Sequence, residues 1–335
     1  MRVVVFGAGA VGGHLAARLA AHGPAAGIEV AAVARGPQLA AMTQRGITLW
    51  IGEERTSAPI HATDRPETLG HQDVVLVTMK SSVLPGAAQP LRTLIGPETT
   101  VIFAMNGIPW WYLHRLKDGG MPRPDLSHLD PGGVLERAVG LERVVGCMIN
   151  SANAIAEPGV IRNSPGTRNR FTLGEPDGTI SRRLQTISQA FERAGIPTPL
   201  TATIRVDIWD KLVRNLSTSP ICALTGEPIG VLGRHPELFA LSKALMREGL
   251  AVCAAYGIHI DLDPERAYGA RPSSTHKSSM LQDFERDRPP EIDGLLTAVQ
   301  AFARAAGIAT PHLDAITALV IEKARRMGLY PPAVW

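Results

Sequence analysis

Short, almost uniformly apolar runs alternate with longer amphipathic stretches over residues 1–110. The runs are rich in Val and Ile, which is typical of strands buried on both faces of a parallel sheet. The stretches between them have the spacing of helices, so the alternation predicts βαβ units and a doubly wound α/β fold. The predicted strands are Arg2–Phe6, Ile28–Ala34, Val74–Thr78 and Thr100–Ala104, and the clearest helices are Val11–Ala21 and Pro37–Gly46.

The pattern is interrupted at residues 117–133, where Gly, Pro and Asp cluster. Such clusters predict a surface excursion. Strand-like pieces follow at Val144–Asn150 and Gly159–Leu173, and a helix is predicted at Ser181–Ala194.

After Thr201 the apolar residues recur at helical spacing and few strand signals remain. A mostly helical second domain is therefore predicted, with the boundary near residues 198–203. We expect one domain at 1–200 and another at 201–335. The helical segments of the second domain are Arg205–Leu216, Pro236–Ala255 and Pro290–Ala306.

Composition and charge narrow the classes of protein. The 335 residues suit two domains, and 45% hydrophobic against 19% charged residues allows a sizeable core. The positive charges are scattered, so no nucleic-acid partner is expected, and the net charge of +3 suits a small anionic ligand. No apolar segment reaches the ~18–20 residues that span a bilayer, and no signal peptide is expected.

Three cysteines without CxxC spacing fit a reducing compartment, which favours a cytoplasmic protein. The simplest interpretation is that they are buried apolar thiols. The ten His residues contain no HExxH or HxH cluster, so no metal site is expected.

A glycine motif, Gly7-Ala8-Gly9-Ala10-Val11-Gly12, follows the first predicted strand and opens the first predicted helix. In that context GxGxxG indicates a dinucleotide site. Gly7 permits the tight turn, Gly9 lets the backbone approach the pyrophosphate, and Gly12 lets the helix pack on the strand. The N–H groups at the helix start would face the phosphates. The alternative is an ordinary glycine turn.

The end of the second predicted strand bears on the cofactor. An NAD site usually has Asp or Glu there, whereas this chain reads Ala34-Arg35-Gly36. A guanidinium can pair with a 2′-phosphate, so Arg35 favours NADP. The alternative is a solvated loop charge.

Two polar residues follow later strands. Lys80 ends the third strand-like run and Asn106 follows the fourth. Because ligands bind beyond the carboxyl ends of parallel strands, both are expected near the cofactor. The alternatives are a lysine at a helix start and a simple Asn-Gly turn.

In the second domain, Lys211, Asn215 and Ser219 lie four residues apart and would share one helix face. Apolar neighbours could desolvate Lys211, and desolvation lowers the pKa of an ammonium so that it can donate a proton near neutral pH. From spacing alone, a lysine that extends its ammonium into water is the stronger alternative.

A third cluster joins Ser278-Ser279 to Glu291. The two hydroxyls could bind a carboxylate, and Glu291 could pair with a lysine or hold the cofactor. By themselves the serines also fit a helix cap, and Glu291 fits surface charge.

Together these segments resemble the ketopantoate reductase (2-dehydropantoate 2-reductase) family, in order and over nearly the whole chain. The matching elements are the N-terminal GxGxxG, Lys80, Asn106-Gly107, Trp209-Asp210-Lys211-Leu212 with Asn215, and Ser278-Ser279-Met280-Leu281-Gln282-Asp283 with Glu291-Ile292-Asp293. The resemblance implies a Rossmann-type NADP-binding domain, a helical substrate domain and an active site in the cleft between them. It also implies reduction of a 2-keto acid, 2-dehydropantoate to pantoate, by NADPH.

The resemblance also implies roles for single residues. Lys211 would be the general acid, and Asn106 would contact both cofactor and substrate. The other expected cofactor contacts are Arg35, Lys80, Ala152 and Glu291, and the other expected substrate contacts are Asn215, Ser219 and Ser279.

The chain departs from the family pattern around the expected substrate. Ser219 and His276 stand where the family often has Asn, Pro109 replaces a glycine, and Gly294-Leu295-Leu296-Thr297 replaces a segment that usually reaches an Asn-Gly pair. The identity of the 2-keto acid, the oligomeric state (a homodimer included) and the pathway, pantothenate synthesis or another, therefore stay open.

Two alternatives remain at this point. One is a dehydrogenase that acts on a different 2-keto acid or, as in the 6-phosphogluconate dehydrogenase superfamily, on a 3-hydroxy acid. The other is a non-catalytic NADP-binding sensor, which would need the glycine turn but not Lys211, Asn215 and Glu291.

Overall fold

The computed structural model describes residues 1–116, 120–164, 168–266 and 275–332. The chain divides into two units, each with its own internal packing. The first unit comprises Met1–Met105, Trp111–Lys117 and Asp130–Ile204. The second unit comprises Asn106–Trp110, Asp118–Leu129 and Arg205–Trp335.

The first unit is built on a seven-stranded sheet. Its strands and those of a smaller second sheet are β1 Arg2–Phe6, β2 Glu29–Val33, β3 Ile47–Ile51, β4 Glu54–Ala58, β5 His61–Thr63, β6 Gln72–Val77, β7 Ile95–Ala104, β8 Val144–Asn150, β9 Asn153–Glu157, β10 Val160–Asn163 and β11 Arg170–Gly174. The large sheet has the order β11-β8-β7-β6-β1-β2-β5. All its pairs are parallel except β8 with β11.

The helices of the first unit are α1 Ala10–His22, α2 Gly36–Arg45, α3 Ala88–Arg92, α4 Val134–Val139 and α5 Arg182–Arg193. The inner strand β1 is covered on both faces, since Val3, Val4 and Val5 are each 0% exposed. A strand buried on both faces has no polar alternation, which is the pattern that the sequence displays.

A second sheet, with the order β4-β3-β10-β9, was not predicted. Its central pair, β3 with β10, is parallel and joins segments that are far apart in the chain. Helix α1 packs against this sheet as well as against the large one. Gly13 makes that approach possible, since a Cβ atom there would lie 2.6 Å from Cδ1 of Ile161 on β10.

In the second unit, every regular element of the described residues is helical. These elements are a 3₁₀ turn at Ser127–Leu129, α6 Ile204–Thr225, α7 Ile229–Leu232, α8 Pro236–Ala255, α9 Ser279–Phe284, a π-helical turn at Asp293–Thr297, α10 Ala298–Ala305 and α11 Pro311–Arg326. Trp209 on α6 is 0% exposed and stacks edge-on against Phe302 of α10, with ring centroids 5.2 Å apart. Aromatic packing of this kind is a large part of such a core.

The predicted fold class, a Rossmann-type sheet domain with a helical C-terminal domain, is confirmed. The prediction ended the helix that carries Lys211 at Leu216, whereas α6 continues through Pro220 to Thr225. A proline inside a helix removes one backbone hydrogen bond, and the residues around it, from Leu216 to Ala223, are buried. The functional division at residues 200/201 stays a prediction.

Residues 117–119 of the predicted surface excursion lie outside the described residues, and Leu126 and Leu129 within it are buried. The three cysteines are buried and unbridged. Among the described residues, no helix is both long and apolar enough to cross a membrane.

Candidate active site

The glycine turn between β1 and α1 is fixed by hydrogen bonds from both sides. The N–H groups of Gly7 and Ala8 both donate to the Val33 carbonyl at 3.1 Å, and the Thr78 hydroxyl donates to the Gly7 carbonyl at 2.7 Å. Gly7 has φ +102°, a conformation that favours glycine. At Gly12 a Cβ atom would come within 2.3 Å of the Gly7 carbonyl oxygen, so helix and turn can approach this closely only because Gly12 lacks a side chain.

The open side of this turn suits an anion. The N–H groups of Ala10, Val11 and Gly12 belong to the first turn of α1, where no carbonyl of the same helix can reach them. A Cβ atom at Gly9 would have no neighbour closer than 3.9 Å, so the backbone is accessible there. Unpaired N–H groups and the positive end of the helix dipole together attract phosphate, and these residues therefore fit a dinucleotide pyrophosphate.

Gln38 on α2 holds the turn from a third direction. Its Nε2 donates to the Ala8 carbonyl at 3.0 Å, and its Oε1 accepts from the Gly159 N–H at 3.0 Å. One amide group thus joins the glycine turn to the β9–β10 hairpin. The same helix begins directly after Arg35, so Gln38 also fixes the start of α2 relative to the turn.

The two predicted phosphate-binding cations belong to the first unit. Arg35 is exposed in extended backbone at the start of α2, and its guanidinium forms no hydrogen bond or ion pair with another described residue. Lys80 is half-buried and follows β6, which ends at Val77. Both lie just beyond the carboxyl ends of parallel strands, as the sequence predicted.

The carbonyl of Ala152, just beyond β8, is already doubly bonded within the first unit. It accepts from the Ser164 N–H at 2.8 Å and from Nδ2 of Asn163 at 3.0 Å, which uses both lone pairs. Asn163 is the centre of a buried group of polar side chains, and it bonds also to Asn153 and Asn169. A cofactor contact at Ala152 would therefore use its N–H or its methyl group.

His14 of α1 closes this polar group. Its Nδ1–H donates to Oδ1 of Asn153 at 3.0 Å, and the ring is 2% exposed. Burial lowers the pKa of His14 to about 4; the positive charge of Arg18 adds to this shift, while the Asn153 hydrogen bond opposes it. The imidazole is therefore neutral at physiological pH.

In the second unit, three of the residues singled out from the sequence form one hydrogen-bonded chain. Nζ of Lys211 donates to Oδ1 of Asn106 at 2.7 Å, and Nδ2 of Asn106 donates to Oε2 of Glu291 at 3.0 Å. Lys211 and Asn106 are half-buried, while Glu291 is 7% exposed. An ammonium only donates and a carboxylate only accepts, so the orientation of the Asn106 amide is fixed by its two neighbours.

The backbone beneath this chain is closely packed. The Ile108 N–H donates to the Gly294 carbonyl at 2.8 Å. Gly107 has φ +75°, and a Cβ atom on it would lie 2.4 Å from that carbonyl oxygen. The Asn106-Gly107 pair is therefore required as a turn and also as a side-chain site, so the two interpretations of this pair are compatible.

The remaining substrate candidates differ in how far their side chains are buried. Asn215 is half-buried and Ser219 is buried on α6. Ser278 is the N-cap of α9, where its hydroxyl accepts from the Leu281 N–H at 3.2 Å, so the cap interpretation holds for this serine. Ser279, the first residue of α9, is exposed. None of these four joins the Lys211–Asn106–Glu291 chain through a described hydrogen bond.

With this geometry established, comparison with known proteins decides the family. The family described as "Ketopantoate reductase PanE/ApbA" matches residues 3–110, and the one described as "Ketopantoate reductase PanE/ApbA C terminal" matches residues 192–324. A relative from Mesorhizobium japonicum, named 2-dehydropantoate 2-reductase, is 38% identical over 331 residues, which cover 98% of this chain and 100% of the relative. The chain belongs to the ketopantoate reductase family.

Solved structures agree with this family. A protein from Ralstonia solanacearum MolK2, provisionally named a ketopantoate reductase, matches with a TM-score of 0.87 and 36% identity over 98% of this chain and 99% of its own. A D-mandelate dehydrogenase in complex with NADH and anilino(oxo)acetate matches with a TM-score of 0.80 at 18% identity, over 98% of this chain and 100% of its own, which shows a shared fold alone. The predicted resemblance to an oxidoreductase family is thus confirmed.

The two family matches cover most of the residues singled out in each unit. The N-terminal match contains the glycine turn, Arg35, Lys80 and Asn106, and the C-terminal match contains Lys211 and Glu291. Sequence reasoning missed Thr78, Gln38 and Asn163. Thr78 follows the end of β6, so the rule that selected Lys80 could have found it, whereas nothing in the pattern of α2 or β10 distinguishes Gln38 or Asn163.

Proposed function

We propose that this member of the ketopantoate reductase family reduces a 2-keto acid with NADPH, with Lys211 as the general acid and 2-dehydropantoate as the first candidate substrate. The observation that carries the proposal is the hydrogen-bonded chain from Lys211 through Asn106 to Glu291. These residues are separated in sequence, and structural packing alone gives no reason to bring an amine, an amide and a buried carboxylate together.

Lys211 is suited to protonate an oxygen that gains negative charge. One N–H of its ammonium is held by Asn106, which restrains the side chain and leaves the nitrogen in a defined place. A positioned cation stabilises an alkoxide that exists only as the reaction proceeds, so it lowers the barrier more than it tightens substrate binding. Transfer of the Nζ proton to that oxygen yields the hydroxyl of the product.

Asn106 and Glu291 position this acid. The Asn106 amide has both polar atoms engaged, so it transmits the position of the buried Glu291 carboxylate to the ammonium. Glu291 has little access to solvent, and burying its charge is costly unless it is hydrogen-bonded. The Asn106 amide supplies one such bond. We infer that Glu291 also meets the nicotinamide ribose, as the family resemblance implies.

The adenosine and pyrophosphate part of the cofactor binds, in this proposal, to the first unit. NADPH supplies the hydride when it is bound. The open N–H groups of Ala10, Val11 and Gly12 hold the pyrophosphate, and Arg35 and Lys80 bind the 2′-phosphate side. Arg35 supports NADPH over NADH because a guanidinium pairs with a phosphate and no acid stands at that strand end.

The substrate carboxylate and hydroxyl are assigned to Asn215, Ser219 and Ser279. The relative from Mesorhizobium japonicum is named for 2-dehydropantoate, which supports that substrate class. This chain differs from the family pattern at Pro109, Ser219, His276 and Gly294–Thr297. A related branched 2-keto acid therefore belongs in the test. A homodimer stays a prediction.

The experiment is a panel of substrates assayed by the loss of NADPH absorbance. The panel contains 2-dehydropantoate, other branched 2-keto acids and phenylglyoxylate, each with NADPH and with NADH, and 3-hydroxy acids with NADP⁺ in the reverse direction. We expect the highest kcat/KM for a branched 2-keto acid with NADPH. Turnover of 3-hydroxy acids alone would favour the 3-hydroxy acid dehydrogenase, and tight NADPH binding without any turnover would favour the sensor.

A further inference from the structure

Tyr330, four residues beyond the end of α11, is bonded to the π-helical turn. Its hydroxyl donates to Oδ1 of Asp293 at 2.6 Å. The tyrosine is held in turn by Arg325, whose guanidinium lies 5.8 Å from the ring centroid and whose Nε donates to the Pro331 carbonyl at 2.9 Å. The segment after α11 is thus bonded to the turn through the Tyr330 side chain, which Arg325 also contacts.

Asp293 is the first residue of that turn, and Gly294 follows it. The Gly294 carbonyl is the acceptor for the Ile108 N–H, and Gly107 approaches the same carbonyl so closely that a side chain would not fit. The turn therefore packs directly against the backbone of the residues that follow Asn106. π-Helical turns are uncommon and are often found at functional sites.

Glu291 lies two residues before Asp293. Its carboxylate accepts from Asn106, which accepts from Lys211. The π-helical turn thus positions the hydrogen-bonded chain by two routes. One route runs through Glu291 and the other through the Asn106-Gly107 backbone. A displacement of the turn would change both contacts to Asn106 together.

A second contact restrains the far end of the turn. The Thr297 hydroxyl lies 3.2 Å from Nε2 of His128 and 3.3 Å from Oδ1 of Asp293. Asp293 is therefore the common partner of the turn's own last residue and of the C-terminal segment. Burial raises the pKa of Tyr330 and the Asp293 carboxylate adds to that effect, so the tyrosine remains a donor throughout the neutral range.

We propose that Tyr330 is a positioning residue for the reaction, which acts through Asp293 and the π-helical turn to hold Glu291 and Asn106 where they orient Lys211. The inference rests on the proposed function, since it assigns a role in that reaction. It also makes a claim about the protein that needs no substrate: Tyr330 restrains the π-helical turn through Asp293, and the turn in turn holds the backbone after Asn106 through the Gly294 carbonyl.

The test compares Tyr330→Phe with Tyr256→Phe. The Tyr256 hydroxyl lies 2.9 Å from the Pro122 carbonyl and 3.2 Å from the Phe302 carbonyl, so the control loses a tyrosine hydrogen bond in the same unit without a contact to the turn. We expect Tyr330→Phe to lower kcat about tenfold, as for loss of a bond to a charged acceptor. The control should stay within about twofold of the parent protein, with a comparable fall in Tm for both.

A double-mutant cycle separates positioning from general damage. In a Glu291→Gln background, Tyr330→Phe should lower kcat by a clearly smaller factor than in the parent protein, because the route through Glu291 is already broken and only the route through the Asn106-Gly107 backbone remains. An equal loss of kcat in both backgrounds, or no loss in either, overturns the proposal.

Hydrogen exchange at the Ile108 amide provides a readout without turnover. The Ile108 amide should exchange faster in the Tyr330→Phe variant than in the Tyr256→Phe variant. Equal exchange rates in the two variants overturn the proposed restraint. If the parent protein reduces no 2-keto acid, the proposed function has failed, and hydrogen exchange still decides whether Tyr330 restrains the Asn106-Gly107 backbone.

Discussion

Lys211 Nζ donates a hydrogen bond to Oδ1 of Asn106, 2.7 Å away, although 105 residues separate the two in sequence. The contact joins α6 to the residue that follows β7 in the chain. It gives the lysine a defined partner other than water, so the interpretation of Lys211 as a lysine whose ammonium simply extends into solvent is not supported.

Replacement of the lysine tests the general acid. Lys211→Ala should lower kcat by roughly 10²–10⁴, the usual contribution of general acid–base catalysis, while the Kd for NADPH stays unchanged. Lys211→Arg should lose most activity too, because a guanidinium keeps the charge but does not release its proton. Steady-state kinetics and fluorescence titration of NADPH measure both effects.

The control is Lys323→Ala, which removes another half-buried lysine of the second unit, one that donates to the Ala223 carbonyl. Its kcat should remain near that of the parent protein. Full activity in Lys211→Ala would remove this lysine from the mechanism.

Asn106→Asp tests the direction of the hydrogen bonds at nearly constant shape. The new carboxylate could still accept from Lys211 but could not donate to Glu291, and it would place two negative charges about 3 Å apart. We expect kcat/KM to fall roughly 10–100-fold, equivalent to the 1–3 kcal/mol of an unsatisfied buried polar group. Partial recovery at lower pH should follow, because a protonated carboxyl can donate again; a loss that is independent of pH would contradict the assigned orientation.

Arg35→Asp tests the preference for NADPH. The residue is the N-cap of α2, where Asp is favoured, so the variant should fold at least as well as the parent protein. We expect the ratio of kcat/KM for NADPH to that for NADH to fall at least about tenfold, because an acid repels the 2′-phosphate and can bind the ribose hydroxyls. Arg45→Asp, the same change in the last turn of α2, should leave the ratio unaltered. A retained preference in Arg35→Asp would rule out the phosphate role.

Gln38→Glu tests the clamp on the glycine turn. The new carboxylate could accept from the Gly159 N–H but would face the Ala8 carbonyl with an oxygen in place of a donor. We expect a loss of about 1–3 kcal/mol in the free energy of unfolding and weaker NADPH binding. Gln44→Glu, an exposed position on the same helix, is the matched control. Chemical denaturation and NADPH titration measure the two effects, and equal behaviour of the two variants would show that the clamp is dispensable.

The buried, neutral His14 should make the free energy of unfolding depend on pH in the acidic range. Burial, with the charge of Arg18 adding to it, lowers its pKa to about 4 in the folded protein, against an ordinary value of 6.5. Between these values the unfolded chain binds the proton more readily, so stability falls as the pH drops from 6.5 to 4 and the effect saturates below 4. The loss should reach about 3 kcal/mol. His14→Gln, which retains a donor for Asn153, should lack this component in denaturation curves measured across that range, and parallel curves for both proteins would refute it.

The local pattern of apolar residues was sufficient to predict an element where buried positions recur at regular spacing along the chain. The strand Arg2–Phe6 and the helix Pro236–Ala255 have the bounds that hydrophobic periodicity indicates. Strands β3, β4, β5 and β9 were missed. β3 pairs with the distant β10, β4 and β9 carry polar residues at exposed edges, and β5 has only three residues. The hydrophobic periodicity of a short stretch of sequence does not indicate which distant segment it pairs with.

The sequence by itself determined the glycine turn, the alternation of strands and helices, and the set of polar residues that the family resemblance selects. Those features depend on residue type and on spacing along a single element. Only the tertiary structure decided that Asn106 bridges Lys211 and Glu291, that Ser278 is the cap while Ser279 is exposed, and that Gln38 and Tyr330 hold backbone from a distance. These contacts join distant segments, and the direction of a hydrogen bond is set by both partners, so neither segment contains the information alone.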